Sequence, residues 1–352
     1  MTARTRLLVG VVAVVLLAAG GWWAFRPGPS LPPPGPDQHL DDARRALAAG
    51  DYESAVEAAR ADLTARPGNP PTLLVLSQIF RRQGRLKDAE AALGRAVAAG
   101  VPEAEGRREA ALLLAAQDYP PKAEGIIQRV VRDCPDDPEV LRAVSRAYFA
   151  KSRWLDAEIL FTRLLVLDPN QPDILFERGT ARMRAMYYGT AVEDFRAVLA
   201  KNPDNFQARL YLAQSLLGDA RMAEAEPELK TCQRMRPELA EPVVGLAKCA
   251  VERDDLAGAE ELLRRAAGLE KDSLLVVQEQ AALSLRRQQY DAAIPLLKKV
   301  LAADPNNRQA HLNLAQALRS VGKLDESKVH EQRYQELDKL EEERLAAKRG
   351  MR

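Results

Sequence analysis

The sequence predicts an all-α fold of stacked helix hairpins, and three observations carry that prediction. The first is an alanine column. Ala55, Ala89, Ala123, Ala157, Ala191, Ala225, Ala259 and Ala293 recur at an unbroken spacing of 34 residues, with Ser327 at the next step. A fixed period of this length marks repeats that bury their apolar faces against one another. The second is a small-residue column twelve positions earlier: Ala43, Ser77, Ala111, Ser145, Gly179, Ala213, Ala247, Ala281 and Ala315. The third is proline twelve positions after the alanine column in six of nine units, at Pro67, Pro135, Pro169, Pro203, Pro237 and Pro305. Proline lacks the N–H that a continuing helix needs, so it divides one unit from the next. The 352 residues are 47% hydrophobic but only 5% aromatic. A chain dominated by Ala, Leu, Glu, Arg and Gln suits closely packed helices.

The elements follow in chain order. Leu7 to Phe25 is a run of 19 residues without a charge, about 28 Å long as a helix and close to the thickness of a bilayer core. Arg4 and Arg6 precede it, and Trp22 and Trp23 stand at its far end, as aromatic residues do at a membrane interface. Residues 1–26 are therefore expected to form an uncleaved signal-anchor, one transmembrane helix. The flanking charge places the repeats outside the cytoplasm of a bacterial-type inner membrane. Cleavage at Ala18-Ala19-Gly20, giving a secreted or periplasmic protein, is the alternative. Residues 27–36 hold six prolines and read as a semi-rigid spacer.

Residues 37–339 are expected to form nine hairpins of 34 residues each. Three positions before the alanine column stand Tyr52, Leu86, Trp154, Tyr188, Met222, Leu256, Tyr290 and Leu324, with Pro120 the exception. Four positions after it come Leu93, Ile127, Phe161, Phe195, Leu229, Leu263 and Leu297. Small columns allow helix axes to approach to about 8–10 Å, and large ones fill the remaining space. Breakers such as Gly50, Gly84 and Gly322 mark the turns. With segments such as "LDAEILFTRLLVLDPNQPD" and "YDAAIPLLKKVLAADPNN", the chain resembles the tetratricopeptide repeat (TPR) family over about 300 residues. That resemblance implies a right-handed superhelical α-solenoid whose first helices line an inner groove that binds protein segments.

The end units depart from the pattern. Asp42, Ala46 and Asp62 replace bulky or apolar residues in the first, and Glu331 does so in the last. Polar substitution there is expected to cap a face with no neighbour. For the same reason Ser327 should tolerate a bulkier side chain better than Ala191. Residues 340–352 are expected to continue the last helix as a charged tail. In the fifth unit Arg178 and Arg182 stand where neighbours carry Leu or Tyr, and they are expected to pair with Glu177 or Glu193.

The search for chemistry returns little. With 51 Lys+Arg against 50 Asp+Glu, the net charge of +1 makes no case for nucleic acid. Cys134, Cys232 and Cys249 form no C-x-x-C, and His39, His311 and His330 share no metal-site spacing. No phosphate loop, nucleophile elbow or H-E-x-x-H is present. The expectation is no enzyme, no cofactor, no metal and no small-molecule substrate.

What remains is the outward stripe of the first helices. Leu74, Gln78, Arg81, Arg82, Arg108, Arg142, Arg146 and Arg184 give it a basic stretch, and Leu210, Tyr211, Leu217, Val244 and Val251 an apolar one. Glu105 and Glu139, three residues before Arg108 and Arg142, offer the bland alternative of intrahelical pairing. The lysine, asparagine and arginine set of chaperone-tail-binding TPRs is missing, which disfavours that activity. The expected role is a membrane-tethered scaffold holding extended, acidic protein segments as an assembly platform. A cytoplasm-facing adaptor for a membrane protease or biosynthetic enzyme is the alternative.

Overall fold

The computed structural model of the protein describes residues 36–117 and 123–350. Among them are eighteen α-helices and no strand. They are α1 (Pro36–Ala49), α2 (Tyr52–Ala65), α3 (Pro70–Arg82), α4 (Leu86–Ala98), α5 (Glu103–Ala116), α6 (Glu124–Asp133), α7 (Pro138–Ala150), α8 (Trp154–Leu167) and α9 (Pro172–Arg184). There follow α10 (Tyr188–Lys201), α11 (Phe206–Gly218), α12 (Met222–Met235), α13 (Ala240–Glu252), α14 (Leu256–Leu269), α15 (Leu274–Arg286), α16 (Tyr290–Ala303), α17 (Arg308–Ser320) and α18 (Leu324–Gly350). Odd-numbered helices are the first of each hairpin and even-numbered ones the second. The chain divides into two compact units, residues 1–113 and 114–352.

The bulky column at the turn supplies the first residue of every second helix from Tyr52 to Leu324 except α6, and the prolines stand two residues beyond the second helices they follow. Every described member of both small columns is buried. These columns face one another inside the hairpin. In the first unit Ser77 Oγ donates to the carbonyl of Ala89 at 3.0 Å. In the second, Ser327 Oγ donates to the carbonyl of Ala315 at 2.8 Å. A Cβ on Gly179 would stand 3.0 Å from both Asp194 Cβ and the Phe195 ring. The tolerance expected at Ser327 is thereby corrected. Its neighbour is its own hairpin partner, and it is 2% exposed although it belongs to the last hairpin.

The first unit contains the other correction at a chain end. Asp62 does not cap a solvent face; it is fully buried. Asn69 Nδ2 donates to it at 2.9 Å, Thr72 Oγ1 and Arg66 also donate to it, and together they join α2 to the start of α3. Burial works to raise the Asp62 pKa, but the donors from Thr72, Arg66 and Asn69 outweigh it and hold the carboxyl below its ordinary value. Asp42, by contrast, is half-exposed, and Glu331 forms an exposed pair with Arg319 at 2.7 Å.

In the second unit the large column is the core: Ile127, Phe161 and Phe195 are fully buried, and Leu229, Leu263 and Leu297 nearly so. Arg178 and Arg182 are paired, but not with Glu177 or Glu193. Arg178 Nη2 donates to Asp194 at 2.6 Å, while Arg182 donates to Asp194 at 3.0 Å and to Glu158 at 2.8 Å. Both arginines point toward the second helices α8 and α10, so they close a buried network rather than face a ligand. Helix α18 runs unbroken through Leu337, Leu340 and Glu341 to Gly350.

One backbone column was hidden in the sequence. Gly50, Gly84, Ser152, Met186, Ala220, Asp254, Gln288 and Gly322 all have φ between 56° and 78°. Every described turn within a hairpin therefore needs a left-handed residue, and only three of these eight are glycine. Pro120 and the expected transmembrane helix at Leu7–Phe25 lie outside the described residues. Among the described residues, no helix is long and apolar enough to cross a membrane.

Candidate functional site

Within each unit the first helices of successive hairpins pack on each other directly: α1 on α3, α9 on α11, α11 on α13 and α13 on α15. Among the described residues, second helices make no comparable contacts. The first helices therefore form the tighter side of the stack, the side the resemblance assigns to ligands.

In the first unit that side opens into a cleft of about 320 Å³ between α1, α3 and α5. Leu47, Ala48, Pro71, Leu74 and Val75 supply apolar walls, and Arg44, Gln78, Arg82 and Glu105 supply polar ones. Of the residues expected here, Arg82 is exposed and Arg108 half-buried. Arg81 is corrected: it is not a ligand-facing cation. Its side chain is 11% exposed and forms a two-pronged ion pair with Glu109, 1% exposed, at 2.9 and 3.3 Å. Ser77 Oγ also lies 3.3 Å from the same carboxylate.

In the second unit the basic stripe is largely neutralised. Arg142 donates to Asp173 at 2.7 Å and to Gln171 at 2.5 Å, tying α7 to the start of α9. Arg146 donates to Glu177 at 2.8 Å, one turn farther along the same two helices. Lys248 meets Glu279 at 2.8 Å between α13 and α15, and Gln214 donates to Glu241 between α11 and α13. The intrahelical pairing of Arg142 with Glu139 thus gives way to pairing with the next hairpin. Arg184 is exposed.

The apolar stretch is also redrawn. Leu210 and Val244, each 2% exposed, are buried and are withdrawn from the ligand surface. Tyr211 and Leu217 remain half-buried. Tyr211 stacks on Phe176 with ring centroids 5.6 Å apart and planes inclined by 12°, and both rings lie edge-on to Phe195. Phe176 was missed in the sequence, although it precedes Tyr211 by one repeat and one residue. A second cleft of about 320 Å³ lies between α13 and α15, with Ala247, Val251, Ala282 and Leu283 against Lys248, Glu252, Glu279 and Arg286.

No group of three or more metal-ligating side chains occurs among the described residues. His311 and His330 nevertheless meet, which their separation in sequence had concealed. All three cysteines are unpaired. Burial pushes the Cys232 thiol up to about 11 and that of Cys249 upward as well, which keeps both unreactive.

Family models described as tetratricopeptide repeat match residues 46–115 and 284–347, and residues 107–172 and 176–240. The chain belongs to the tetratricopeptide repeat family. None of these matches is to an enzyme family. No curated protein matches the sequence. Among solved structures, this TPR protein is similar to MamA from Desulfovibrio magneticus RS-1 at 22% identity, over 49% of this chain and 99% of that one, with a TM-score of 0.42. A thermophilic TPR protein of Thermus thermophilus is 20% identical over 52% of this chain and 99% of its own, with a TM-score of 0.44. Yeast Tom70 is 16% identical over 89% of this chain and 87% of its own, with a TM-score of 0.45.

Proposed function

We propose that this TPR protein is a membrane-tethered scaffold that holds extended protein segments on its first-helix face and serves as an assembly platform for an envelope complex. The observation that carries this reading is the cleft of the first unit, where an apolar lining adjoins Arg44 and Arg82. An apolar side chain from a partner, seated against Leu74 and Val75, supplies affinity of about 1.5–3 kcal/mol. A neighbouring carboxylate answers the arginines and orients the segment. The acidic segment proposed for the basic stretch is assigned to this cleft, where Arg44 makes only a loose, exposed contact with Asp41, whereas Arg142 and Arg146 are closely paired with carboxylates. In the second unit Tyr211, Phe176 and Leu217 offer apolar anchors.

The uncharged run from Leu7 to Phe25 and the Arg4 and Arg6 flank support the tether and the placement of the repeats outside the cytoplasm. A photo-crosslinking residue at Gln78 is expected to capture a partner in cells, while one at Val97, exposed on α4, is not. Equal capture at both positions overturns the site. A mature N-terminus near Gly20 overturns the tether, and a cytosolic signal from a C-terminal reporter overturns the orientation.

A further inference from the structure

The last hairpin holds a histidine pair that the scaffold reading does not use. His311 on α17 is 7% exposed, and its Nδ1 stands 2.9 Å from Nδ1 of half-buried His330 on α18. His311 Nε2 stands 3.1 Å from the carbonyl oxygen of Pro305. A carbonyl oxygen only accepts, so His311 Nε2 carries the proton. A neutral imidazole has one N–H, which leaves His311 Nδ1 as the acceptor and makes His330 Nδ1 the donor. The contact is satisfied with both rings neutral, and it fixes the tautomer of each.

We propose that the His311–His330 contact is an acid-sensitive latch, holding the C-terminal helix α18 on α17 at neutral pH and loosening it on mild acidification. A first added proton enters at His330 Nε2. A second has only His311 Nδ1 to enter, and there it sets N–H against N–H, with two positive rings in contact. The charged neighbours of His330 sharpen the effect. Lys298 reaches it from α16 and Glu326 from its own helix, and these two form an ion pair at 3.2 Å. Burial first, then His311 and Lys298, push the His330 pKa below its ordinary value, against the opposite pull of Glu326. A histidine whose folded pKa is depressed contributes stability that is present above the unfolded value of about 6.5 and is lost as pH falls from there toward the folded value. Loosening α18 also releases Ser327 from Ala315, the close contact of the last hairpin.

Hydrogen exchange on the full-length chain tests the latch. After correction for intrinsic rates, amides of α18 around Lys328–Tyr334 are expected to lose protection between pH 7.5 and 5.5. For one proton the loss reaches at most about tenfold at pH 5.5, one unit below the ordinary histidine value, while α10–α12 hold theirs. His330→Gln should abolish the loss. Unchanged protection in the parent, or the same loss in His330→Gln, overturns the proposal. If the variant leaves α18 unprotected at both pH values, imidazole carbon-bound proton shifts in the parent decide. Coupled titration with a depressed midpoint upholds the latch, and two independent titrations near the ordinary value overturn it.

Discussion

The first-helix faces of the two units use the same kind of residue in opposite ways. In the first unit Arg44 makes only a loose, exposed contact of 3.7 Å with Asp41 and lines a cleft beside Arg82. In the second, Arg142 and Arg146 each bind a carboxylate 31 residues onward. That interval is one repeat less about one helical turn, and it carries a side chain from one first helix to the next. Thirty-one residues after Arg44 stands Val75 instead. On this face Arg142 and Arg146 are therefore ties between hairpins, while Arg44, with no carboxylate at that later position, is offered to a partner.

Burial then decides what a tie contributes. Arg81→Ala strands the Glu109 carboxylate in the core of the first unit, so a loss of about 3–5 kcal/mol is expected. Arg146→Ala removes a pair that is half in solvent and should cost no more than about 1 kcal/mol. Native-state hydrogen exchange on α3 and α5, and on α7 and α9, reads the two losses separately. Comparable losses would erase the distinction between buried and exposed ties.

Overpacking comes next in size. Because the small columns face each other inside each hairpin, Ala191→Leu and Ser327→Leu should each destabilise by about 1–3 kcal/mol. A markedly milder effect at Ser327, measured by thermal unfolding, would return the close contact to the interface between hairpins.

The turns give the smallest contrast. Those of the first unit use Gly50 and Gly84, whereas in the second Gly322 is joined by Ser152, Met186, Ala220, Asp254 and Gln288 in the same left-handed backbone. Gly84→Ala should cost about 1–2 kcal/mol. Ala220→Gly should gain no more than about 1 kcal/mol, since relief of strain is partly offset by the freer unfolded chain. Denaturant midpoints moving in the same direction for both variants would contradict this.

The fold was legible because a repeat writes its close contacts as columns. The small columns, the bulky residues that open second helices and the terminating prolines all occupy the places expected of them. What stayed hidden depends on partners a repeat away. Arg142 was weighed against Glu139 on its own helix, because helical spacing is visible locally and the 31-residue interval is not. Asp62 looked like a solvent cap because its donors, Asn69 and Thr72, lie in the next turn and helix. Leu210 and Tyr211 are adjacent in sequence, yet one is buried and the other half-exposed, stacked on Phe176 of the neighbouring first helix. The left-handed turn column escaped notice because only some of its members are glycine.

The central claim is that the first-helix face of the first unit receives an extended segment. It is tested most directly by selecting peptides from a random display library on the full-length chain and measuring their affinity for three variants. Gln78→Trp fills the cleft, Arg82→Glu reverses its charge, and Arg146→Glu alters only a tie in the second unit. The account predicts that selected peptides carry an apolar residue near a carboxylate. They should lose about tenfold or more in affinity to the first two variants, roughly the 1.4 kcal/mol of one good contact, and keep their affinity for the third. Peptides that bind Gln78→Trp and Arg82→Glu as tightly as the parent would contradict it.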